Sequence, residues 1–456
     1  MRRFCFAGLS LLAAALLNVA CTTEPDASTP PPKDDSQPIG TCPVPTKGPT
    51  KHAAGDIAGS ETWTADASPH IVEGQVLVRG NAKLVIEPCA VVQLGDAAGI
   101  IVDSLDDSAG ELVADGTTDK PIRFEGAGDA RWSRVLVRAP AMARFAYTTF
   151  EGGGGGDGHE TLGATADGTL PPKEILFVDH VTIKGSRGAG ARVDRGAAFM
   201  NGSRDLVITG SGASDDGHPY PLEVNEISVD GIPTGTYTGN AKDEILLQPE
   251  VISEGNGFQQ DTTIRDRGVP YHVGSVPETD HLSVGNGNLD AVLTLEAGVK
   301  VLFEKTTALF VESDEDGQSA IRALGTTDKP VVFSSASKTP AAGDWRGLYF
   351  NGPVSAESQL SNVRIEYAGA DCACSMVSCS AVEEYEAAII FSRPPPKMFL
   401  ETSVIAHSAG HGVVQGYDGN AFDWSATNTF EDVAGCNVTL PRNEDTSCPS
   451  EPVACR

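Results

Sequence analysis

The hexapeptide Gly-Thr-Thr-Asp-Lys-Pro occurs twice in the chain, at residues 116–121 and 325–330. The similarity extends far upstream of it, because residues 82–124 align without a gap with residues 291–333. Identical pairs in this alignment are Leu84/Leu293, Glu87/Glu296, Val92/Val301, Val102/Val311 and Ala114/Ala323. A long internal match at a constant offset is typical of repeat architectures, in which neighbouring repeats bury each other's apolar faces.

The repeats consist of short β-strand patterns. Runs such as 70–72, 75–79 and 83–87 alternate apolar and polar residues, and Gly, Asn, Asp or Pro separates each run from the next. The chain has 50 Gly and 29 Pro but only 6% aromatic residues, which suits many short strands and tight turns. No stretch of the mature chain sustains a helical period with caps. We therefore predict an all-β solenoid.

The duplication continues beyond the gapless alignment. Trp132 corresponds to Trp345, and Glu151 corresponds to Glu366, with small changes of offset between them. These matches predict two tandem modules, at about residues 55–250 and 251–440, within one continuous solenoid.

Several phrases of the sequence resemble right-handed parallel β-helix (pectin-lyase-like) surface proteins, which are common among bacterial lipoproteins. The phrases are Leu84-Val-Ile-Glu-Pro, Leu293-Thr-Leu-Glu-Ala-Gly, Trp345-Arg-Gly-Leu and Leu360-Ser-Asn-Val-Arg-Ile-Glu-Tyr-Ala-Gly, besides the two hexapeptides. The resemblance implies a single-stranded right-handed parallel β-helix with three short strands per coil, stacked about 4.8 Å apart. We expect Val92, Val102 and Ile122 to point inward, and about 20–25 residues per coil would give roughly fifteen coils.

The N-terminus has the features of an export signal. Arg2 and Arg3 precede an apolar run at residues 9–17 that is too short to span a bilayer, so residues 1–20 are predicted to be a signal peptide. Asn18-Val19-Ala20-Cys21 resembles a lipobox, which implies lipidation of Cys21; an ordinary signal peptide with a chance Cys is the alternative. Residues 21–54 are rich in Pro, Ser and Thr and predict a disordered tether. The expected location is the cell envelope, lipid-anchored, at the outer membrane or cell surface of a Gram-negative bacterium.

Cysteine usage also indicates export. Eight cysteines remain after the signal peptide and the anchor, which are Cys42, Cys89, Cys372, Cys374, Cys379, Cys436, Cys448 and Cys455. An even number in a secreted chain indicates disulfides. We predict that Cys42 pairs with Cys89 and that Cys436 pairs with Cys448, the latter spanning the start of a Cys-containing tail at residues 441–456. Metal binding is the alternative for Cys372, Cys374 and Cys379.

Two polar segments are candidate cation sites. Asp157, His159 and Glu160 follow Glu151 and five consecutive glycines, and they could bind a divalent cation or act in acid–base chemistry; a solvated loop is the alternative. Glu312, Asp314 and Asp316 alternate as in a calcium loop, but Ala323 stands where such a loop has its bidentate Glu. This pattern predicts at most weak calcium binding, and solvated turns are the alternative. No other cofactor is expected.

Two motifs are similar to the Asp-Asp and Gly-His-Gly motifs of polygalacturonase-type β-helix hydrolases. They are Asp215-Asp216-Gly217-His218 and Gly410-His411-Gly412. In that family, carboxylates protonate the leaving oxygen and activate water. The Asn-Thr-Asp and Arg-Ile-Lys motifs of the family are absent from this sequence, and His411 falls on a repeat turn. The alternative is therefore a structural role for both segments.

The net charge of −29 limits the partners of the chain. Nucleic acid is not expected as a ligand, because a strongly acidic surface repels polyanions. The first hypothesis is a non-catalytic surface binding or structural module, with polysaccharide or another cell-surface molecule as partner and the membrane contacted through the lipid. The alternative hypothesis is a polysaccharide lyase or glycoside hydrolase, which would require carboxylates, or carboxylates with Arg or Lys, to converge on one sheet face.

Overall fold

The computed structural model describes most of the chain from residue 42 onward, which includes the last part of the predicted tether. The described residues are 42–156, 158–215, 217–249, 257–274, 281–286, 289–314, 317–371, 386–441 and 455–456. The predicted signal peptide and Cys21 lie outside them.

Almost every described element is a β-strand, apart from three single-turn 3₁₀ helices at Ala65–Ala67, Val229–Gly231 and Trp424–Ala426. The strands, in chain order, are β1 (Thr50–His52), β2 (Gly55–Asp56), β3 (Ser60–Trp63), β4 (His70–Val72), β5 (Gln75–Val78), β6 (Lys83–Ile86), β7 (Val91–Leu94), β8 (Gly99–Val102), β9 (Ser104–Leu105), β10 (Ser108–Ala109), β11 (Glu111–Asp115), β12 (Ile122–Gly126), β13 (Val135–Arg138), β14 (Met142–Glu151), β15 (Leu162–Thr165), β16 (Lys173–Lys184), β17 (Ala191–Asp194), β18 (Ala197–Phe199), β19 (Arg204–Thr209), β20 (Leu222–Asn225), β21 (Gly235–Thr236), β22 (Ile245–Gln248), β23 (Thr262–Ile264), β24 (Tyr271–Val273), β25 (Leu282–Val284), β26 (Val292–Leu295), β27 (Lys300–Phe303), β28 (Ala308–Glu312), β29 (Ala320–Leu324), β30 (Val331–Ser335), β31 (Gly347–Asn351), β32 (Gln359–Ser361), β33 (Val363–Glu366), β34 (Ala387–Phe391), β35 (Leu400–Glu401), β36 (Val404–Ala406), β37 (His411–Gln415) and β38 (Thr429–Glu431).

These strands form four parallel sheets, with β9 and β10 as a small antiparallel hairpin. Sheet A contains β1, β3, β4, β6, β7, β11, β12, β14, β16, β18, β19 and β21. Sheet B contains β2, β5, β8, β13, β15, β17, β20, β22, β24, β27, β30, β33, β36 and β38. Sheet C contains β25, β28, β31, β34 and β37, and sheet D contains β23, β26, β29, β32 and β35. Successive strands of the chain mostly enter different sheets and pair with strands of the preceding turn, which is a parallel β-helix.

The two longest strands explain why sheet A is so wide. β14 and β16 each bend at a residue with positive φ, Tyr147 (φ 44°) and His180 (φ 54°). The first half of β14 pairs with β11 and its second half pairs with β12, so one strand joins two sides of a coil.

Inward side chains stack in ladders along the coils. Val92 pairs in register with Phe124, Phe124 with Phe150, and Phe150 with Ile183, and all four are fully buried. Each such side chain contributes about 1.5–3 kcal/mol by leaving water. Val102 and Ile122 are also fully buried, as the resemblance to β-helix proteins led us to expect.

The two copies of the repeat occupy different sheets. Val92 lies in sheet A, whereas its repeat equivalent Val301 lies in sheet B. Likewise β8 lies in sheet B, and β28, which carries the equivalent residues, lies in sheet C. Sheet B nevertheless continues from β22 through β24 to β27, across the predicted boundary between modules. The second copy is therefore displaced by one side of the coil, and the boundary itself stays a prediction.

Both hexapeptides form the same corner turn. The backbones of Thr117 and Lys120 exchange two hydrogen bonds, and those of Thr326 and Lys329 do the same. The glycine is required for close approach rather than for a left-handed φ, because a Cβ at Gly325 would lie 2.2 Å from a carbonyl oxygen. The hexapeptide is thus a geometric element of the coil.

Two disulfides lie within the described residues. Cys42 bonds to Cys89, the predicted pair, with 5.4 Å between their Cα atoms. Cys436 bonds to Cys455, so its predicted pairing with Cys448 is wrong. The physical reason is that Thr439 forms a β-bridge with Cys455, which brings Cys455 beside Cys436. Cys372, Cys374, Cys379 and Cys448 lie outside the described residues.

Candidate functional site

A polar groove lies on the outer face of sheet A. Its floor is formed by Gln93, Glu125 and Glu151, which follow one another in register on β7, β12 and β14. Its wall is the turn at residues 126–131, and the cavity has a volume of about 520 Å³. The alternation of the strands places these side chains outward, opposite the buried ladder.

The groove offers hydrogen-bonding groups to a ligand. Gln93 Nε2 donates to Glu125 Oε1 at 3.0 Å, which fixes both side chains on the floor. The exposed carboxylates of Asp129 and Glu151 make no hydrogen bond or ion pair with another described residue. Arg131 forms part of the wall and donates to the Gly185 carbonyl oxygen at 2.8 Å. Carboxylates and an amide arranged in this way suit sugar hydroxyl groups.

The glycine run after Glu151 is packed, which differs from the solvated loop considered as the alternative. Residues 153–155 are buried, and Gly154 N donates to Ser133 O at 2.7 Å. A Cβ at Gly153 would lie 2.6 Å from Thr161 Oγ1, so a larger residue does not fit. The run connects the groove to a second polar feature on sheet B.

That second feature is a pair of stacked histidines, each held by a carboxylate. His159 Nδ1 lies 2.7 Å from Asp215 Oδ2, and His218 Nδ1 lies 2.8 Å from Glu223 Oε1. The two imidazole rings stack with centroids 4.2 Å apart. Gly188 permits this approach, because a Cβ there would lie 2.4 Å from the His159 carbonyl oxygen. We call His159, Asp215, His218 and Glu223 the histidine cluster.

Ion pairs surround the histidine cluster on the outer face of sheet B. Glu160, predicted as a candidate ligand, is almost fully buried and pairs with Arg134 at 2.6 Å. Arg192 Nε lies 2.7 Å from Asp194 Oδ2. The missing side chain of Gly163 leaves the space that the Glu160 carboxylate occupies.

A further buried histidine lies two strands along the same sheet. His272 is fully buried, with Nδ1 2.8 Å from Glu244 Oε2 and Nε2 3.1 Å from Glu304 Oε1. Lys242 Nζ lies 3.2 Å from His272 Nδ1. Burial acts to lower the pKa of His272, but its contacts with the two glutamates outweigh this effect, so the pKa is raised.

Charges also shift the pKa values within the histidine cluster. The hydrogen bond to Glu223 raises the pKa of His218, against the opposing effect of burial. Burial acts to raise the pKa of Asp215, but its hydrogen bonds with His159 and the Gly217 N–H leave the pKa lowered. Perturbed values of this kind are frequent both at functional sites and in structural ion-pair networks.

The structure brings together some predicted residues and separates others. His159, Glu160 and Asp215 lie in one region, whereas Asp157, Asp216 and Asp316 lie outside the described residues. Two groups of three candidate metal ligands occur in the described part of the chain, and neither includes Glu312 or Asp314. Burial raises the pKa of Glu312, which disfavours the ionised form that calcium requires.

The polygalacturonase-like motifs separate as well. His411 Nδ1 accepts a hydrogen bond from Cys436 N at 2.9 Å, so this ring is engaged with the C-terminal disulfide segment rather than with Asp215. The four tryptophans, Trp63, Trp132, Trp345 and Trp424, are all fully buried. None of them can serve as a sugar-stacking platform on the surface.

The sequence reasoning missed Arg134, Arg192, Glu223 and His272. Each occupies a polar position flanking or within a short apolar strand, and the period-2 alternation correctly places such residues outward. Their burial depends on neighbouring loops, which the alternation does not reveal. The one available signal in the sequence is that the outward positions of β17 and β20 carry charged residues, namely Arg192, Asp194 and Glu223.

The stacked parallel sheets define an all-β protein of the parallel β-helix class. A family model described as "Pectate-lyase like beta helix domain" matches residues 280–373, which agrees with the resemblance that the sequence motifs indicated. No curated protein and no solved structure matches the chain significantly. Within the described residues there is no helix with the length and apolarity that crossing a membrane requires.

Proposed function

We propose that the protein is an exported β-helix that binds a neutral or amino-sugar polysaccharide in the groove on sheet A, without chemical conversion. The observation that carries the proposal is the row of Gln93, Glu125 and Glu151 beside Asp129 and Arg131. Because the carboxylates of Asp129 and Glu151 lack partners among the described residues, they are available to accept hydrogen bonds from sugar hydroxyl or amino groups. The net charge of −29 argues against polyuronates, which the protein would repel.

A glycan array with the full chain, run with and without calcium, tests this proposal. We expect binding to neutral or amino-sugar polymers that does not depend on calcium. Glu125→Gln and Glu151→Gln should each weaken binding about 5- to 10-fold, because a charge-assisted hydrogen bond becomes a neutral one. The matched control is Glu401→Gln, an exposed glutamate on sheet D away from the groove lining. Equal binding by the control and the groove variants would contradict the assignment of the groove.

A lyase or hydrolase is the second candidate, and the histidine cluster is the observation that favours it. His159, Asp215, His218 and Glu223 converge on one sheet face beside Arg134 and Arg192, which is the kind of convergence an enzyme requires. However, each of these groups already has an internal partner, and the groove on sheet A is lined by other residues. Release of reducing ends by the wild type, abolished in His218→Ala but retained in Glu151→Gln, would establish this second function.

We further propose that a lipid on Cys21 holds the protein at the cell envelope. Support comes from Arg2 and Arg3, the short apolar run and the lipobox-like sequence that ends at Cys21. Cys21→Ser should release the protein from the membrane fraction into the soluble fraction. If the Cys21→Ser protein stays with the membrane, the lipid anchor is wrong.

A further inference from the structure

We infer that His159, Asp215 and His218 form a binding site for one divalent transition-metal ion, of the class that prefers imidazole with carboxylate ligands. One candidate ligand atom from each residue lies within 4.8 Å of the other two. The proposal is independent of polysaccharide binding in the groove on sheet A.

The ligand set matches transition metals better than calcium. Imidazole nitrogens suit zinc, copper and nickel, whereas calcium takes oxygen ligands. In a tetrahedral zinc site with bonds of about 2.0–2.1 Å, the ligand atoms lie about 3.3 Å apart. The ligand atoms therefore need to approach one another by at most about 1.5 Å, and the half-exposed His159 side chain has room to move.

Glu223 holds His218 in the orientation that a metal ligand needs. Its Oε1 lies 2.8 Å from His218 Nδ1, so Nδ1 carries the proton and Nε2 is left as the ligand atom. A carboxylate on the far nitrogen of a metal-binding histidine is a recurrent arrangement, because it fixes the tautomer and strengthens the ligand. Asp215 is placed in the same relation to His159 Nδ1 and can also ligate directly.

A second, independent observation is the other carboxylate oxygen of Glu223. The residue is only 1% exposed, and Oε2 is buried without a hydrogen-bond partner among the described residues. An unpaired buried carboxylate oxygen is unfavourable by about 1–3 kcal/mol or more. A cation bound beside His218 would compensate this buried negative charge.

The local charge also favours a cation. The carboxylates of Asp215 and Glu223 contact the two imidazoles, whereas those of Glu160 and Asp194 pair with the guanidinium groups of Arg134 and Arg192. The charge of each arginine is therefore balanced by the charge of its own carboxylate partner. The carboxylates on the two histidines therefore leave the region net negative.

The other three-residue group in the described part of the chain, Asp179, His180 and Asp205, provides a contrast. Arg204 contacts both oxygens of Asp179, at 2.9 and 3.1 Å, and thereby occupies the position that an ion would take. His180 lies at an exposed corner of sheet A and stacks on Tyr147. His180→Ala is therefore a matched control that removes one histidine beside two carboxylates.

Calorimetric titration of the full chain with Zn²⁺, together with the electron paramagnetic resonance spectrum of its Cu²⁺ form, tests the proposal. We expect nitrogen couplings from imidazole in the wild-type Cu²⁺ spectrum. His159→Ala and His218→Ala should each weaken the zinc affinity of this site at least 10-fold, and Glu223→Gln should weaken it about 10-fold through loss of positioning. His180→Ala should bind as the wild type does.

Two results would overturn the site. One is an unchanged zinc isotherm in the double variant His159→Ala/His218→Ala, with circular dichroism showing the wild-type β spectrum. The other is a wild-type Cu²⁺ spectrum without imidazole couplings. If His218→Ala is unstable, an unchanged zinc isotherm in His159→Ala alone overturns the site instead, because His159 is half exposed and its replacement leaves the core intact.

Discussion

Cys89 has a left-handed backbone conformation with φ 74°, at the position where the second copy of the repeat has Gly298 with φ 94°. Residues other than glycine rarely adopt this backbone conformation, because it is unfavourable for them by about 1 kcal/mol. The cysteine occupies a position suited to glycine because its disulfide joins the segment before β1 to the first coils. At Cys89 the chain thus has an unfavourable backbone conformation but gains a covalent link to Cys42.

The unfavourable φ of Cys89 predicts how the stabilities of two variants that lack the disulfide should differ. The double variant Cys42→Ser/Cys89→Gly should be more stable than Cys42→Ser alone by about 1 kcal/mol, because glycine relieves the unfavourable φ. Denaturant unfolding measures the difference. A double variant that is less stable than the single variant would show that the thiol of Cys89 packs usefully by itself.

At the scale of elements, the first coil is closed by a buried polar stack. His52 Nε2 lies 3.0 Å from His70 Nδ1, and His70 Nε2 lies 2.9 Å from the Thr64 carbonyl oxygen. Both rings stack on the buried Trp63. Burial lowers the pKa of both histidines, with the neighbouring His70 also lowering that of His52; Glu61 opposes the shift at both rings and Glu87 at His70.

Acid should therefore loosen this end of the β-helix. Because the folded-state pKa values lie below the usual 6.5, the unfolded chain binds more protons as the pH falls below about 6.5, and stability is lost. We expect hydrogen exchange of β1 and β4 to accelerate between pH 7 and pH 5, roughly, while His70→Gln reduces that pH dependence. The control His407→Gln, at a half-buried corner position of sheet B, should leave it unchanged. If the exchange rates of β1 and β4 vary with pH only as the intrinsic rate of amide exchange does, the expected effect of the histidines is contradicted.

The two copies of the repeat share one further element, a buried tryptophan that closes a corner. Trp132 Nε1 donates to Glu151 O at 2.7 Å, and Trp345 Nε1 donates to Glu366 O at 2.9 Å. We predict that Trp132→Phe and Trp345→Phe destabilise the protein by similar amounts, about 1–3 kcal/mol each, because both leave a carbonyl without its donor. Thermal unfolding of the two variants measures this. A large cost at one position alone would mean that the corners are not equivalent.

The sequence predicted more of the fold than of the sites, for a physical reason. Inward residues such as Val92 must be apolar on every coil, so the pattern of short strands shows directly in the sequence. The displacement of the second copy by one side of the coil leaves no such trace, because the same local pattern fits any side. The alternation of apolar and polar residues in β17 and β20 puts Arg192 and Glu223 on the outer face, but it does not show which partners they meet there. The pairing of Cys436 with Cys455 likewise depends on a bridge between distant segments.

At the scale of the whole molecule, the net charge of −29 determines which polymers can approach the groove. Like charges repel over about 10 Å at 0.1 M salt, and over longer distances at lower ionic strength. We predict that polygalacturonate without calcium binds only very weakly at low salt, and that added salt strengthens this binding because it screens the repulsion. Affinity electrophoresis at two salt concentrations measures this dependence. Tighter binding of the polyanion at low salt would contradict the charge argument.

The groove on sheet A and the histidine cluster on sheet B belong to one continuous scaffold in the described residues, because strands of the two sheets alternate along the same coils and sheet B runs without interruption from β2 to β38. A scaffold of this kind holds a row of side chains at the fixed spacing of its strands, which suits a polymer of repeating units. Binding without chemistry requires no movement of the floor of the groove. We therefore expect the groove to bind a polysaccharide and to leave the polymer intact.

The most direct test is size-exclusion chromatography of the polysaccharide bound on the array, during prolonged incubation with the wild type and with Glu125→Gln/Glu151→Gln. We predict that the polymer elutes together with the wild type but apart from the double variant, and that its chain length stays constant throughout. Co-elution with the double variant to the same extent, or progressive shortening of the polymer by the wild type, would contradict the claim.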